Sequence, residues 1–225
     1  MARKPNPQRR EDSLSRERII DAAIELLDAS GEAGLTFRAL AERLATGPGA
    51  IYWHVADKSD LLTAACDALM ARTLEGVASE AAPDATIRAV ALDVFDAIAA
   101  HPWIGSALTM APGQSPGVRI LERLGQSVCA LGVPEAAQWS TVSVLLSYIL
   151  GVGSQHATNM YLARAQSMNR ASLLADVAKA WSELDADDYP FTRGIATRMS
   201  AHDDREDFLA GVNLILGGIG GASSG

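Results

Sequence analysis

Apolar residues along this chain recur at the spacing of one helix face, and most such runs open on a capping residue and close on glycine or proline. Ser15 precedes a run with Ile19, Ile20, Ala23, Ile24 and Leu27 on one side, which predicts a first helix ending at Gly31. Thr36 precedes Phe37, Leu40, Ala41 and Leu44, spaced i, i+3, i+4 and i+7, the apolar face of a short second helix. Gly47-Pro48 then opens a third segment reaching His54, because proline suits the first helical position, where its missing N–H is not needed. Asp57, with Asp60 three residues on, makes a near capping box for a fourth helix through Leu61, Leu62, Ala65, Leu69 and Thr73. Four helices are therefore expected between residue 15 and about residue 79.

Beyond Pro83, Asp84 is the expected cap of a helix carrying Ile87, Val90, Ala91, Val94, Phe95 and Ile98, which His101-Pro102 ends or kinks. A loop at Pro112 to Pro116 leads into a helix to Leu131, stopped by Gly132, and Pro134 starts the next. Leu173, Leu174, Val177, Trp181 and Leu184 form another amphipathic run, closed by the acidic stretch from Asp185 to Asp188. Asp203 caps a last helix with Phe208, Leu209, Val212, Ile215 and Leu216, and the glycine-rich end from Gly217 is expected to fray. No run shows sustained strand alternation, so the chain reads as all-α. The expected organisation is a flexible basic arm at 1–14, a helix-turn-helix DNA-binding domain at 15–80, a larger helical effector-binding and dimerisation domain at 84–217, and a flexible tail at 218–225.

Composition narrows this picture. Apolar residues make up 48% of the chain and charged residues 20%, the balance of a folded globular protein. A net charge of −8 argues against a protein that coats nucleic acid nonspecifically, yet 9 of the 19 Lys and Arg fall in the first 60 residues, four of them in the arm as Arg3, Lys4, Arg9 and Arg10. The polar, basic N-terminus carries no secretory pattern, which predicts a cytoplasmic protein. From Ala136 to Ala163 there is no Asp, Glu, Lys or Arg. Polar residues such as Gln138, Ser147, Gln155, His156 and Asn159 interrupt it, so a buried helix is expected and no membrane partner. Cys66 and Cys129 both lie on or beside apolar faces and read as small buried hydrophobes.

Two short helices joined by a tight turn and flanked by longer ones match a helix-turn-helix unit. The third segment is the more informative: Tyr52, Trp53 and His54 stand in a row with only Ile51 as a plain core residue. Such side chains donate to phosphates or base edges and stack on sugars and thymine methyls, while Gly49 and Ala50 permit close approach to a groove.

The run from Leu35-Thr36-Phe37-Arg38-Ala39-Leu40-Ala41 through Ile51-Tyr52-Trp53-His54-Val55 to Lys58-Ser59-Asp60-Leu61-Leu62 resembles the DNA-binding domain of TetR-type repressors, a likeness spanning residues 15 to about 75. More weakly, the C-terminal half is similar to that of the tetracycline-repressor subgroup, without a match to its drug and magnesium ligands, so tetracycline is not the expected effector. The resemblance implies a homodimer on double-stranded DNA, the third helix in the major groove. It places Arg38, Pro48, Gly49, Ala50, Tyr52, Trp53, His54 and Lys58 at DNA-contacting positions and Thr36 at a phosphate-contacting cap. The turn departs from the family pattern: Leu44-Ala45-Thr46-Gly47 stands where Leu-Gly-Val-Ser is commoner, which leaves the third helix without a side-chain cap and asks Ala45 for a wider turn.

Residues 84–216 show no metal-ligand spacing, phosphate-binding glycine loop or nucleophile motif, so neither an enzyme nor a cofactor is expected. They do carry Phe95, Trp103, Met110, Trp139, Tyr148, Gln155, His156, Asn159 and Trp181, aromatic and polar side chains scattered among apolar ones, as in small-molecule sites between helices. The uncharged helix is expected to pair with its symmetry mate, helped by the 204–216 helix, whose Gly211 would permit close approach. These features read as a ligand-responsive repressor that leaves a palindromic operator when a small molecule binds. The competing readings are a helical small-molecule binder with a vestigial DNA motif, and an activator or effector-free DNA binder.

Overall fold

The computed structural model describes residues 14–76, 82–110, 115–165, 169–199 and 202–222. The basic residues of the arm and the last three residues lie outside them. Among the described residues there are helices and no strand: α1 Arg16–Gly34, α2 Phe37–Arg43, α3 Pro48–Ile51, α4 Lys58–Glu75, α5 Pro83–Ala100, α6 Trp103–Met110, α7 Ser115–Ala130, α8 Glu135–Ala165, α9 Arg170–Ser182, α10 Pro190–Ala196 and α11 Asp204–Ala222. They divide into two compact units, residues up to Arg72 with Ser106–Arg119, and Thr73–Gly105 with the residues from Ile120 on.

In the first unit, Ile19, Ala23 and Leu27 of α1 are buried together with Leu40 and Ala41 of α2, Ile51, Val55, and Leu61 and Ala65 of α4. These are the apolar positions that the helical spacing picks out. Ser15 caps α1 by accepting from Arg18 N at 3.2 Å, and Thr36 caps α2 by accepting from Ala39 N at 3.1 Å. At Gly31 the backbone of α1 turns into the left-handed region, φ 62°, and one further turn continues to Gly34.

The end of α2 explains the unusual turn. Ala45 N donates to Glu42 O at 3.3 Å and Thr46 N to Ala41 O at 3.0 Å, the crossed pair of bonds that closes a helix when the residue past its cap is left-handed. That residue is Ala45, φ 51°, where glycine is the usual occupant because it has no Cβ to crowd the carbonyl.

In the second unit, Ile87, Val90, Ala91, Val94 and Ile98 of α5 are buried, and α8 lies close along α5. A Cβ at Gly153 would come within 3.0 Å of Ile98 Cδ1, and one at Gly105 within 2.5 Å of Ser154 Oγ, so glycine sets how near these helices come. Phe208 and Val212 of α11 complete this core.

Several expectations change. Helix α5 begins two residues early, with Ala82 as its cap and Pro83 at its first position, and Asp84 instead accepts from Arg88 Nη1 at 2.5 Å. Helices α6 and α10 have no counterpart in the periodicity reading, being short and apolar or short and mixed. Helix α11 runs on through Gly217 and Gly218 to Ala222 where fraying was expected. Gly211 serves the chain's own packing, since a Cβ there would collide with the hydroxyl of Tyr148 on α8. Cys66 is buried, which pushes its thiol up to about 12, whereas Cys129 is exposed at the end of α7 and is not a core residue. Helix α8 is long and apolar enough to cross a membrane, but only 22% of its most apolar window is buried within the chain. The expectation of a buried helix therefore fails for one chain, and Ala136, Ser140, Val144, Ser147, Gly151, Thr158 and Leu162 form an uncharged exposed stripe along it.

The left-handed alanine gives a direct test. Ala45→Gly relieves the Cβ crowding and stabilises the chain by about 0.5–1 kcal/mol after the extra freedom of glycine in the unfolded state is subtracted. Urea denaturation checks this, and an unchanged or lower midpoint would contradict the geometry.

Candidate nucleic-acid interface and effector cavity

Helix α3 is a single turn that ends at Ile51 rather than at His54, with its cap residue Tyr52 still in the right-handed region. His54 N and Val55 N both donate to Ile51 O, at 2.9 and 3.2 Å, which folds Tyr52–His54 into a tight turn between two buried anchors, Ile51 and Val55. With its ends held, the turn pushes its middle outward: Tyr52 is 57% exposed and Trp53 89%. Leaving a tryptophan in water forgoes a few kcal/mol of burial, so folding alone does not account for it. Tyr52 is held by parallel stacking on Phe37, with ring centres 4.3 Å apart and planes 7° apart.

The other sequence-predicted positions surround this turn. Pro48 and Gly49 are exposed and Ala50 half-buried, with nothing near Gly49 that a Cβ would meet. Arg38 points outward and pairs with Glu42 one turn on at 3.0 Å, a surface pair worth about 0.3–0.5 kcal/mol and easily given up. The Thr36 hydroxyl is engaged in capping. Lys58 already has a partner, donating its ammonium to the Glu32 carbonyl.

One functional residue escaped the sequence reading. Arg16 Nε donates to the His54 carbonyl at 3.3 Å and its Nη2 to Asp60 Oδ1 at 3.1 Å. Asp60 Oδ2 accepts from Ala56 N at 2.9 Å, and Asp57 Oδ1 accepts from Asp60 N at 2.8 Å, which is the near capping box with its reach-back displaced by one residue. Arg16 thus ties α1 to both the exposed turn and the start of α4. No local pattern marks a contact across 38 residues.

Residues 19–65, which hold all of this arrangement except Arg16, match the bacterial regulatory proteins, tetR family. A TetR transcriptional regulator from Streptomyces coelicolor is 50% identical over 92% of this chain and 98% of its own, with a TM-score of 0.82. The chain belongs to the TetR family. BioQ of Mycobacterium smegmatis is 26% identical over 92% of this regulator and 98% of that chain, TM-score 0.67. The class D tetracycline repressor of Escherichia coli is 48% identical, but over 59 residues only, 26% of this chain and 27% of the repressor. That likeness is too short to carry over the repressor's drug site.

The regulator's second unit encloses a cavity of about 430 Å³. Of the nine side chains proposed from sequence, six line it: Phe95 from α5, Tyr148, Gln155, His156 and Asn159 from α8, and Trp181 from α9. The other three do not. Trp103 is buried edge-on against His101, Trp139 is 71% exposed on the outer side of α8, and the Met110 side chain lies outside the described residues. The sequence reading missed Val152 of α8, Leu173, Leu174 and Val177 of α9, Met199, Phe208 of α11, and a polar end formed by His202, Asp204 and Asp207.

That polar end is built on Asp204. Its Oδ2 accepts from Arg170 Nε at 2.6 Å and faces His156 Nδ1 at 3.3 Å, while its Oδ1 faces His202 Nε2 at 3.1 Å. His202 Nδ1 reaches Asp207 Oδ2 at 2.6 Å. Burial pulls the Asp204 carboxyl upward, but the hydrogen bond and charge of Arg170, with His156 and His202, outweigh it and hold the group below the usual carboxylate range. A depressed folded-state pKa adds stability above the unfolded value and loses it as pH falls through the folded one. Asp204→Asn should therefore flatten the acid limb of the stability curve below the ordinary value of about 3.9. Urea midpoints measured against pH test this, and an acid limb as steep as the parent's would contradict it.

Proposed function

We propose that this regulator is a dimeric repressor that binds a palindromic operator in double-stranded DNA and leaves it when a small molecule enters the cavity of its second unit. The observation that carries the reading is the outward turn Tyr52–His54, an exposed aromatic cluster held at both ends by buried residues. BioQ has been solved with its natural double-stranded DNA operator, which supports assigning the matching segment to DNA. In this reading residues 15–80 are the DNA-binding part and 84–217 the effector-binding and dimerisation part. Tyr52, Trp53, His54 and Arg38 reach the bases and sugars, Pro48, Gly49 and Ala50 let the backbone approach, and Thr36 and Lys58 meet phosphates. Lys58 then exchanges the Glu32 carbonyl for a phosphate. The basic arm adds backbone contacts. The family is one of transcriptional regulators, and no catalytic step is assigned.

The dimer follows from α8. Its uncharged stripe, with Leu214 exposed on α11, is covered when a second copy packs against it as a four-helix interface. Two reading turns then stand about one DNA turn apart, or a multiple of it. A full 99:1 release requires the effector to prefer one conformer by roughly 10⁴-fold.

Two experiments check this. A mobility shift with DNA from upstream of the gene gives a sequence-selective complex at moderate salt, and Trp53→Ala weakens it about tenfold or more, on the 1–3 kcal/mol scale of groove contacts. Absence of a selective complex with the parent would sink the reading. Sedimentation gives a dimer for the parent and a monomer for Val144→Asp, and a dimeric variant would remove α8 from the interface.

A further inference from the structure

The cavity has an aromatic wall and an acidic end, and together they define a chemistry. Four rings are stacked in sequence: His156 lies on Phe95 at 5.0 Å and 29°, Phe95 on Phe208 at 4.4 Å and 20°, and Phe208 on Tyr148 at 5.5 Å and 15°. The Tyr148 hydroxyl donates to the Phe208 carbonyl at 3.2 Å, which fixes the outermost ring. Opposite, α9 turns Leu173, Val177 and Trp181 towards the cavity, yet none of its residues is buried. Phe95 and Phe208 are themselves buried, so a flat apolar body in the cavity would lie between α9 and the half-buried Tyr148 and His156.

Charge decides which flat body. Among the described residues no lysine or arginine lines the cavity, whereas Asp204 and Asp207 do. The nearest guanidinium, Arg170, is engaged by Asp204 and by the His202 carbonyl. Asp207 touches His202 through Oδ2 and is 58% exposed at the side chain, so its charge faces whatever enters. A carboxylate or phosphate brought here meets the Asp207 charge while Arg170 is already committed to Asp204, whereas a positive group gains the Asp207 carboxylate.

We propose that the cavity selects a planar aromatic cation, a ring system carrying an amine or iminium group, and rejects anionic ring systems of the same size. The proposal rests on the cavity being the effector site. Rhodamine 123 and fluorescein share a xanthene frame with opposite charge, so their binding to the full-length, DNA-free dimer can be compared by fluorescence anisotropy. Rhodamine 123 should bind saturably and at least about tenfold more tightly than fluorescein. Asp207→Asn should narrow that gap, with its melting temperature as the folding control, and Val177→Trp, which fills the cavity, should abolish rhodamine 123 binding. No rhodamine 123 binding, fluorescein binding of equal strength, a gap unchanged in Asp207→Asn, or binding that survives Val177→Trp each overturns the proposal. A mobility shift on the operator, with a lane of dye and DNA alone, separates it from the reading beneath. If fluorescein fills the cavity and releases DNA, the effector site stands and cation selection falls. If rhodamine 123 fills the cavity and DNA stays bound, cation selection stands and ligand release falls.

Discussion

From Ala136 to Ala163 helix α8 carries no charge, and one chain of this protein covers only part of that stretch. The inner side is met at close range by α5 and α11, through Gly153 under Ile98 and Gly211 under the Tyr148 ring. The outer side, from Ala136 to Leu162, stays exposed among the described residues. The inner packing sets the cavity, because Tyr148, Val152 and His156 are presented from α8. In the proposed reading the opposite side of the same helix pairs with a second copy, so occupancy of the cavity and geometry of the dimer would act on one rigid element, which is what a switch between two arrangements requires.

The DNA-facing part is organised on the same logic of fixed ends and a free middle. Ile51 and Val55 are sunk in the core, Arg16 clamps the His54 carbonyl, and Phe37 supports the Tyr52 ring. Pre-positioning of this kind lowers the ordering cost on binding, since the turn does not have to find its shape against DNA.

Much of this was legible in the sequence for a local reason. Caps such as Ser15 and Thr36 and the apolar positions of α1, α2 and α4 depend on neighbours within one or two turns, and so does the row Tyr52-Trp53-His54. Ala45 could be marked as an awkward turn residue, though not as the left-handed close of a crossed pair of bonds. What was not legible depends on distance along the chain. Arg16 meets His54 across 38 residues, and His156 and His202 share Asp204 although no ligand spacing relates them. Trp103 and Trp139 looked as suitable for a cavity as Trp181 did, and only the packing separates a core residue and an outer-face residue from a lining one. Cys129 was misjudged because helical spacing does not say which side of α7 is covered.

The absence of any buried residue in α9 has an evolutionary consequence. Core positions are constrained by the stability of the whole fold, and most changes there are removed by selection. The side chains at 173, 174, 177 and 181 carry little of that burden, so, with the cavity as the proposed effector site, they are free to vary with the molecule to be sensed while the rest of the scaffold stays as it is. On that reading a lineage retunes what this regulator detects by changing one helix, leaving both its grip on DNA and its pairing untouched.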